Sequence, residues 1–402
     1  MTAFPPGRRA ALERLEAFRP GRYASTRNHL SGAVSRLSPY LRHGILDLAE
    51  VRDAVLSRAS TPQSREKFLQ ELGWRDYWRR IYGLIGERLW DDLEPATSGW
   101  PPAAYTRELP YDVQTAHTGL ACMDAFIGQL LDSGYLHNHA RMWFAAYLVH
   151  HRRVRWQTGA RFFEMHLLDG DAASNRLSWQ WVAGTFSAQP YIFDRDNLER
   201  YSGGAYCSGC PRASAGCPFE FRYDDLRANL FQARPTQPAA ALELTAPPDR
   251  AAPADTARHP VLWAHTDALS DANAARRAYP DAPVIFAWDA EMRDLVPWSH
   301  GRRTFIEGAL AEMRVDVWDE GDATGALLSF ARIHGADAIV TVASPDPGLR
   351  AIAARVRTHL PVIELPPPPF AVLEQPTDLR RFSRYWKRAA ASASKPTRNG
   401  SP

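Results

Sequence analysis

Asp169-Gly170-Asp171-Ala172-Ala173-Ser174-Asn175-Arg176-Leu177-Ser178-Trp179-Gln180-Trp181 is the stretch on which the rest of the chain can be arranged. From Asp171 to Trp181 it holds neither proline nor glycine, which predicts a helix. On a helix Asp171, Asn175 and Trp179 recur every four residues and share one face. That face carries an acceptor, an amide that can both donate and accept, and a large oxidisable ring. A buried helix face is ordinarily aliphatic, and a solvated one does not spend two tryptophans. The trio therefore points to a ligand.

Outward from this stretch, the composition sets the frame. The 402 residues are 45% apolar and 23% charged, the balance of a globular chain with two domains, each burying its own core. No run is long enough to span a membrane. Met1 to Arg9 has no apolar signal core, so export is not expected and a cytoplasmic monomer is. The net charge of +3 and the pI near 8.7 are compatible with a nucleic-acid patch without establishing one. Thirteen tryptophans are more than usual, and core packing accounts for most of them. Four cysteines in such a protein argue for metal or redox use more than for disulfides.

From Ala10 to about Phe231 apolar residues recur at helical spacing, as in Phe68, Leu69, Leu72, Trp74, Tyr77, Trp78, Ile81 and Tyr82, which predicts an all-α domain over 1–231. Residues 232–258 turn to Ala, Pro, Thr and Asp, with Pro235, Pro238, Pro247, Pro248 and Pro253, the composition of a partly disordered linker. Over 259–369 short apolar runs alternate with helical segments. Val261–Ala264, Val284–Trp288, Val315–Trp318, Ala338–Val342 and Val362–Leu365 read as five buried strands of a parallel α/β layer. No Gly-rich phosphate loop follows the first of them, which argues against a Rossmann dinucleotide site there. Residues 370–402 form a basic tail, and Leu379, Phe382, Tyr385 and Trp386 give it an apolar helical stripe. Docking on the protein suits that stripe before nucleic-acid contact does.

The string from Asp169 to Trp181 resembles the flavin-binding helical domain of the cryptochrome/DNA photolyase family. The resemblance implies that Asp169 and Asp171 hold the adenosine side of a folded FAD, that Asn175 faces the flavin N5, and that Trp179 begins an electron-transfer chain. Trp156, at the family's interval before Asp169, would be its second member. Trp100 and other tryptophans remain possible for a third. His259 to Asn273 resembles the opening of the family's α/β antenna domain, which normally comes first. Its position here, after the helical domain, implies a circular permutation, tolerable where termini lie close together at the surface. No residue pattern assigns an antenna chromophore.

Earlier in the chain, Tyr23, Arg27 and Val34-Ser35-Arg36-Leu37-Ser38 resemble the family's phosphate-binding element, with Val34 in place of the usual threonine. Small hydroxyls at a helix N-terminus suit a pyrophosphate. Taken alone, Ser38-Pro39 is more often an N-cap with proline in the first turn. Glu71, Trp74, Arg75 and Trp78 fall on one helix face. Such an aromatic stripe is usually core, although its charged partners suit a cavity wall. The resemblance makes Glu71 and Trp74 part of the pocket for a flipped pyrimidine dimer, assigns Arg27, Glu71 and Trp74 to DNA, and adds Arg75 to the flavin contacts. In Tyr135-Leu136-His137-Asn138-His139-Ala140-Arg141-Met142 it places Asn138 near flavin and substrate, Arg141 against Asp169, and Met142 on the dimer. Histidines stand at the places of Asn138 and Met142 in members that repair the (6-4) lesion, so the likeness is to the cyclobutane-dimer type. His137 and His139 are two apart and do not share a helix face, so capping or solvated histidines are expected rather than a metal pair. Trp181 would be the second aromatic wall.

Cys207-x2-Cys210-x6-Cys217-Pro218 is a tight group, and Cys122 is the remaining cysteine. Four thiolates bind zinc or an iron–sulfur cluster equally well by count. The string also resembles the bacterial iron–sulfur photolyases, which favours a 4Fe-4S cluster on Cys122, Cys207, Cys210 and Cys217, although the interval before Cys217 is shorter than in those relatives. The function expected from these resemblances is blue-light-driven repair of cyclobutane dimers in UV-damaged DNA by electron transfer from reduced FAD. A cryptochrome-like light sensor without repair is the alternative.

Overall fold

The computed structural model describes residues 3–58, 61–214, 216–232, 243–249, 256–291, 297–313 and 315–397. In chain order the helices are α1 (Arg8–Ala17), α2 (Pro20–Thr26), α3 (Ser38–Arg42), α4 (Leu48–Leu56), α5 (Pro62–Ile85), α6 (Tyr111–Gln114), α7 (Ala121–Ser133), α8 (Asn138–Ala146), α9 (Trp156–His166), α10 (Ala172–Ala183), α11 (Arg195–Ser202), α12 (Tyr223–Leu230), α13 (Ala274–Ala278), α14 (His300–Met313), α15 (Ala323–Ile333), α16 (Pro347–Arg357) and α17 (Phe382–Ala393). The strands are β1 (Thr245–Ala246), β2 (Pro260–Ala264), β3 (Val284–Asp289), β4 (Asp316–Gly321), β5 (Ala338–Val342), β6 (Val362–Leu365) and β7 (Thr377–Asp378). Among the described residues no helix is long and apolar enough to cross a membrane.

The chain divides into two compact units: Met1–Gly21 with Ser35–Glu87 and Thr245–Pro402, and Arg22–Val34 with Arg88–Leu244. Helices up to Glu87 thus group with the sheet, a division that composition does not display.

In the first unit the five apolar runs form a parallel sheet in the order β4-β3-β2-β5-β6, with Leu262 opposite Val284 and Val261 opposite Ile339. Every residue of β2 and β5 is buried, as expected when helices cover both faces. The two faces alternate strictly. Val261, Trp263, Ile285 and Ile339 pack with Leu327 and Phe330 of α15 and Ile352 and Val356 of α16, while Leu262, Val340 and Ile363 pack with Ala275 of α13. The all-α and parallel α/β architecture is therefore the one expected.

Two of the expected segments carry structure of their own. Part of the expected linker is ordered: β1 pairs antiparallel with β7 and buries Ala246, while 233–242 and 250–255, with Pro235, Pro238 and Pro253, lie outside the described residues. Within the tail α17 packs on α5, and 398–402 lie outside the described residues. Phe382 stacks on Trp74 of α5 with ring centroids 3.8 Å apart at 10°. Tyr77 Oη donates to the Leu379 carbonyl at 2.6 Å, and Tyr385 Oη donates to Asp76 Oδ2 at 2.6 Å. Gly73 permits the approach, because a Cβ there would lie 2.5 Å from Trp386 Cζ3.

In the second unit α7 to α10 surround one core that includes Met123, Phe126, Trp143, Phe144, Trp156 and Trp179. Helix α10 starts at Ala172, one residue inside the expected span. Asp171 is its N-cap, accepting from the Ser174 N–H at 2.7 Å, and Gly184 closes it with φ 81°.

Candidate flavin and cysteine sites

Helices α9 and α10 carry the centre of the first site. Asn175 Nδ2 donates to the Ala160 carbonyl at 2.8 Å and to Glu164 Oε1 at 3.2 Å. Both amide hydrogens are thus used within the protein, which leaves Oδ1 as the end of Asn175 able to accept from a ligand. Glu164 is also held by Arg176, Nε to Oε1 at 2.9 Å and Nη2 to Oε2 at 3.3 Å, and both side chains are buried. This two-pronged ion pair locks Asn175 from behind. The Ser174 hydroxyl is buried without a hydrogen-bond partner among the described residues.

One turn further along α10, Trp179 is 2% exposed and packs edge-on against Phe163, centroids 5.1 Å apart. Gly159 makes room for it: a Cβ there would fall 2.3 Å from Trp179 Cη2. Gly159 lies three residues along α9 from Trp156, so the two tryptophans meet the same side of that helix. Trp156 in turn stacks on Trp90, centroids 6.1 Å apart at 17°, and its indole N–H donates to Asp92 Oδ1 at 2.7 Å. Trp100 is engaged elsewhere, donating to the Leu230 carbonyl at 2.7 Å with the Arg153 guanidinium 3.5 Å from its ring centroid.

Arg141 ties α8 to the loop before α10, with Nη2 donating to Asp169 Oδ2 at 3.0 Å and Nε to the Leu136 carbonyl at 2.9 Å. Asn138 is exposed at the start of the same helix and donates to Met142 Sδ at 3.5 Å. His137 caps α8, its ring accepting from the His139 N–H. Burial, then the charges of Arg27 and His29, depress the His139 pKa to about 4, which places Arg27 within electrostatic reach of α8. The Trp181 ring lies 5.6 Å from that of Tyr191.

The expected residues divide between the units. Tyr23, Arg27, Val34 and the series from Asn138 to Trp181 belong to the second, and Ser35 to Ser38, Glu71, Trp74 and Arg75 to the first. In the first unit Glu71 Oε1 lies 3.2 Å from Lys67 Nζ, and Trp74 packs on Phe382 and Trp78. Ser38 is the first residue of α3 rather than its cap, which is Leu37, because Arg36 turns the chain at φ 52°. Arg75 is half-buried.

All four cysteines line one pocket with Leu120, Leu198, Tyr206 and Phe219. Burial, and next the neighbouring Cys207, push the Cys122 thiol up to about 12; burial, and next Glu199, push Cys207 up to about 11. Among the described residues no group of three or more His, Cys, Asp or Glu is spaced to hold a single metal ion. The thiols surround a common space rather than meet at one point.

Residues 68–201 match the FAD binding domain of DNA photolyase. The match spans every expected site residue from Glu71 to Trp181, and leaves out Tyr23 to Ser38 and the three clustered cysteines. Deoxyribodipyrimidine photo-lyase of Streptomyces griseus is 35% identical over 164 residues, 40% of this chain and 35% of that protein. The photo-lyase of Agrobacterium fabrum is 34% identical over 202 residues, 46% of this chain and 40% of that one. The chain thus spans less than half the length of these relatives. A cryptochrome structure from Synechocystis shares 27% identity at a TM-score of 0.45, covering 50% of this chain and 44% of the other.

Glu164, Arg176, Asp92 and Trp90 escaped sequence reasoning. The Glu164 and Arg176 partnership joins two helices and has no local spacing. Asp92 and Trp90 sit in a stretch whose composition resembles any surface loop.

Proposed function

We propose that this chain repairs cyclobutane pyrimidine dimers in UV-damaged DNA with light, using FAD held by the α8 to α10 region. The observation that carries this is Asn175, whose amide is oriented by Ala160 and Glu164 so that an acceptor faces outward, one turn from the buried Trp179. FAD would supply the light absorption and the electron that splitting a dimer requires. Residues that would hold it are Asp169, Asp171, Asn175 and Arg141, with Tyr23, Arg75 and the 34–38 element. Arg141 fixes the Asp169 carboxylate, Asn175 Oδ1 would be free to accept from a flavin N–H, and the unpartnered Ser174 hydroxyl is a further polar group at the same helix start.

By the resemblance, Glu71 would offer a carboxylate to the polar edges of the flipped bases, Asn138 and Met142 would contact the dimer, and Trp74 and Trp181 would stack on it. A damaged pair is already weakened, which lowers the cost of flipping. Trp156 and Trp179 relay electrons inward. The relatives' names support dimer repair. One observation favours the alternative, a light sensor without repair: Phe382 covers one face of Trp74.

A 4Fe-4S cluster on Cys122, Cys207, Cys210 and Cys217 belongs to the same proposal, supported by the single pocket the four thiols share. The order of helical residues before the parallel sheet supports a circular permutation of the family's plan.

The test is illumination of the reduced, flavin-loaded protein with excess dimer-containing oligonucleotide. Thymines should be restored, and Glu71→Ala should lower yield or dimer affinity by about one to two decades, the worth of a hydrogen bond to a charged group. A wild type that restores none would leave the sensor.

A further inference from the structure

Trp156 is almost wholly buried, yet its indole N–H ends on a carboxylate that reaches solvent. The Nε1–Asp92 Oδ1 hydrogen bond is 2.7 Å long and partly buried, while Asp92 itself is exposed. The neighbouring ring is in the opposite electrostatic situation. Trp90 lies under the Arg176 guanidinium, 3.9 Å from its centroid, and 5.0 Å from that of Arg161. A cation over a neutral indole is attracted to its π face, but removing an electron from that indole turns attraction into repulsion. Trp90 is therefore a poor place for a positive hole, despite stacking on Trp156. Trp156 has a negative group at the proton that an oxidised indole most readily loses.

We propose that Asp92 is the proton acceptor of oxidised Trp156 and that the inward electron relay starts there rather than at Trp90. The inference rests on the flavin photochemistry proposed above, in which an excited oxidised flavin takes one electron from Trp179. One electron then passes from Trp156 to Trp179, which returns to its neutral closed-shell form. Trp156 is left as a radical cation. Its Nε1–H bond breaks with the electron pair staying on nitrogen, and the proton moves to Asp92, giving a carboxylic acid beside a neutral indolyl radical. An external thiol reductant later returns an electron to the ring as Asp92 returns the proton. Loss of the positive charge removes the driving force for the electron to come back, so the charge-separated state outlives recombination. Desolvation raises the Asp92 pKa more than the indole hydrogen bond and Arg155 lower it, which makes it a stronger base than a free aspartate. Its exposure opens a route for the proton to water. Asp92 acts through Trp156 as its positioning and proton-accepting partner.

The experiment is flash photolysis with electron paramagnetic resonance on the flavin-loaded wild type, Asp92→Asn, Asp92→Glu and Trp156→Phe. In the wild type the neutral radical should form with a solvent deuterium isotope effect. In Asp92→Asn its formation should slow by at least about a hundredfold, the lower end of what a positioned proton acceptor contributes, and a short-lived radical cation should replace it. Asp92→Glu should recover the neutral radical. A neutral radical formed in Asp92→Asn at the wild-type rate would overturn the proposal. Trp179→Phe separates the two levels of the argument: if it leaves flavin photoreduction unchanged, the relay itself is wrong, whatever Asp92 does. A readout without flavin or light is the indole N–H resonance of Trp156, assigned by its loss in Trp156→Phe. It should move upfield in folded Asp92→Asn, and an unmoved resonance would equally sink the assignment.

Discussion

Replacing Glu164 by alanine tests whether Asn175 is set by a buried ion pair or merely by its helix. Glu164 is 3% exposed and accepts from Arg176 twice and from Asn175 once. Arg176 is itself 6% exposed, so truncating its partner strands a guanidinium away from water. Breaking a buried pair on one side costs about 3–5 kcal/mol, against about 0–1 kcal/mol for a pair at the surface. With a urea slope near 3 kcal/mol/M, the unfolding midpoint should fall by about 1–1.7 M. The double variant Glu164→Leu with Arg176→Met removes both charges at similar volume, and should recover most of the loss, since the stranded charge rather than the lost attraction dominates. Flavin content supplies the second readout. Once Glu164 is gone, Asn175 keeps one of its two internal acceptors and its amide is free to turn, so flavin retention should drop in the single variant. Urea melts and flavin absorbance measure both quantities. A loss below about 1 kcal/mol in Glu164→Ala would refute the account, because the pair would then be energetically a surface pair.

Two further outcomes can be measured, the first for the proposed cluster. Cys207→Ser should abolish iron binding, while anaerobically prepared wild type should carry about four irons per chain if one cluster takes all four thiolates; elemental analysis giving stoichiometric zinc and no iron would overturn the cluster. His150 is 4% exposed, bonded to the Val182 carbonyl, with its pKa depressed by burial from 6.5 to about 4. The unfolded chain therefore binds a proton below pH 6.5 that the folded one refuses down to about 4. Stability is whole above that window and should fall as pH drops through it, by up to about 1.4 kcal/mol per pH unit from this group. Thermal melts between those limits should show the slope, and His150→Gln should flatten it.

What could be foreseen from the chain alone was whatever repeats locally. The five strands declare themselves because a strand buried on both faces must be apolar throughout, and the ends of the observed strands fall within three residues of the expected ones. Helix α10 declares itself by its four-residue spacing and its capping Asp171. The grouping of Ser35–Glu87 with the sheet does not, because it depends on which apolar faces meet, and α5 has a helical stripe that would suit several neighbours. Glu164 and Arg176 look from sequence like two ordinary charges on amphipathic helices. Only the packing of α9 on α10 buries them, and only burial makes them consequential.

Trp74 marks the point where spacing and packing compete. Its place in the Glu71, Trp74, Arg75, Trp78 series suits either a core stripe or a cavity wall. The structure stacks one of its faces on Phe382, a geometry worth about 0.5–1.5 kcal/mol beyond area burial. A nucleic-acid base stacked on an aromatic ring is worth about 1–3 kcal/mol. A dimer that took the place of Phe382 would therefore gain at most a modest net amount from Trp74, whereas one that stacked on the opposite face would keep the full value. A wall role for Trp74 in the proposed repair would draw its strength from the face that Phe382 leaves. If the chain binds a dimer as proposed, Glu71 should contribute more to holding it than Trp74, because its carboxylate reaches Lys67 at 3.2 Å on a half-exposed surface and would give that contact up at little cost.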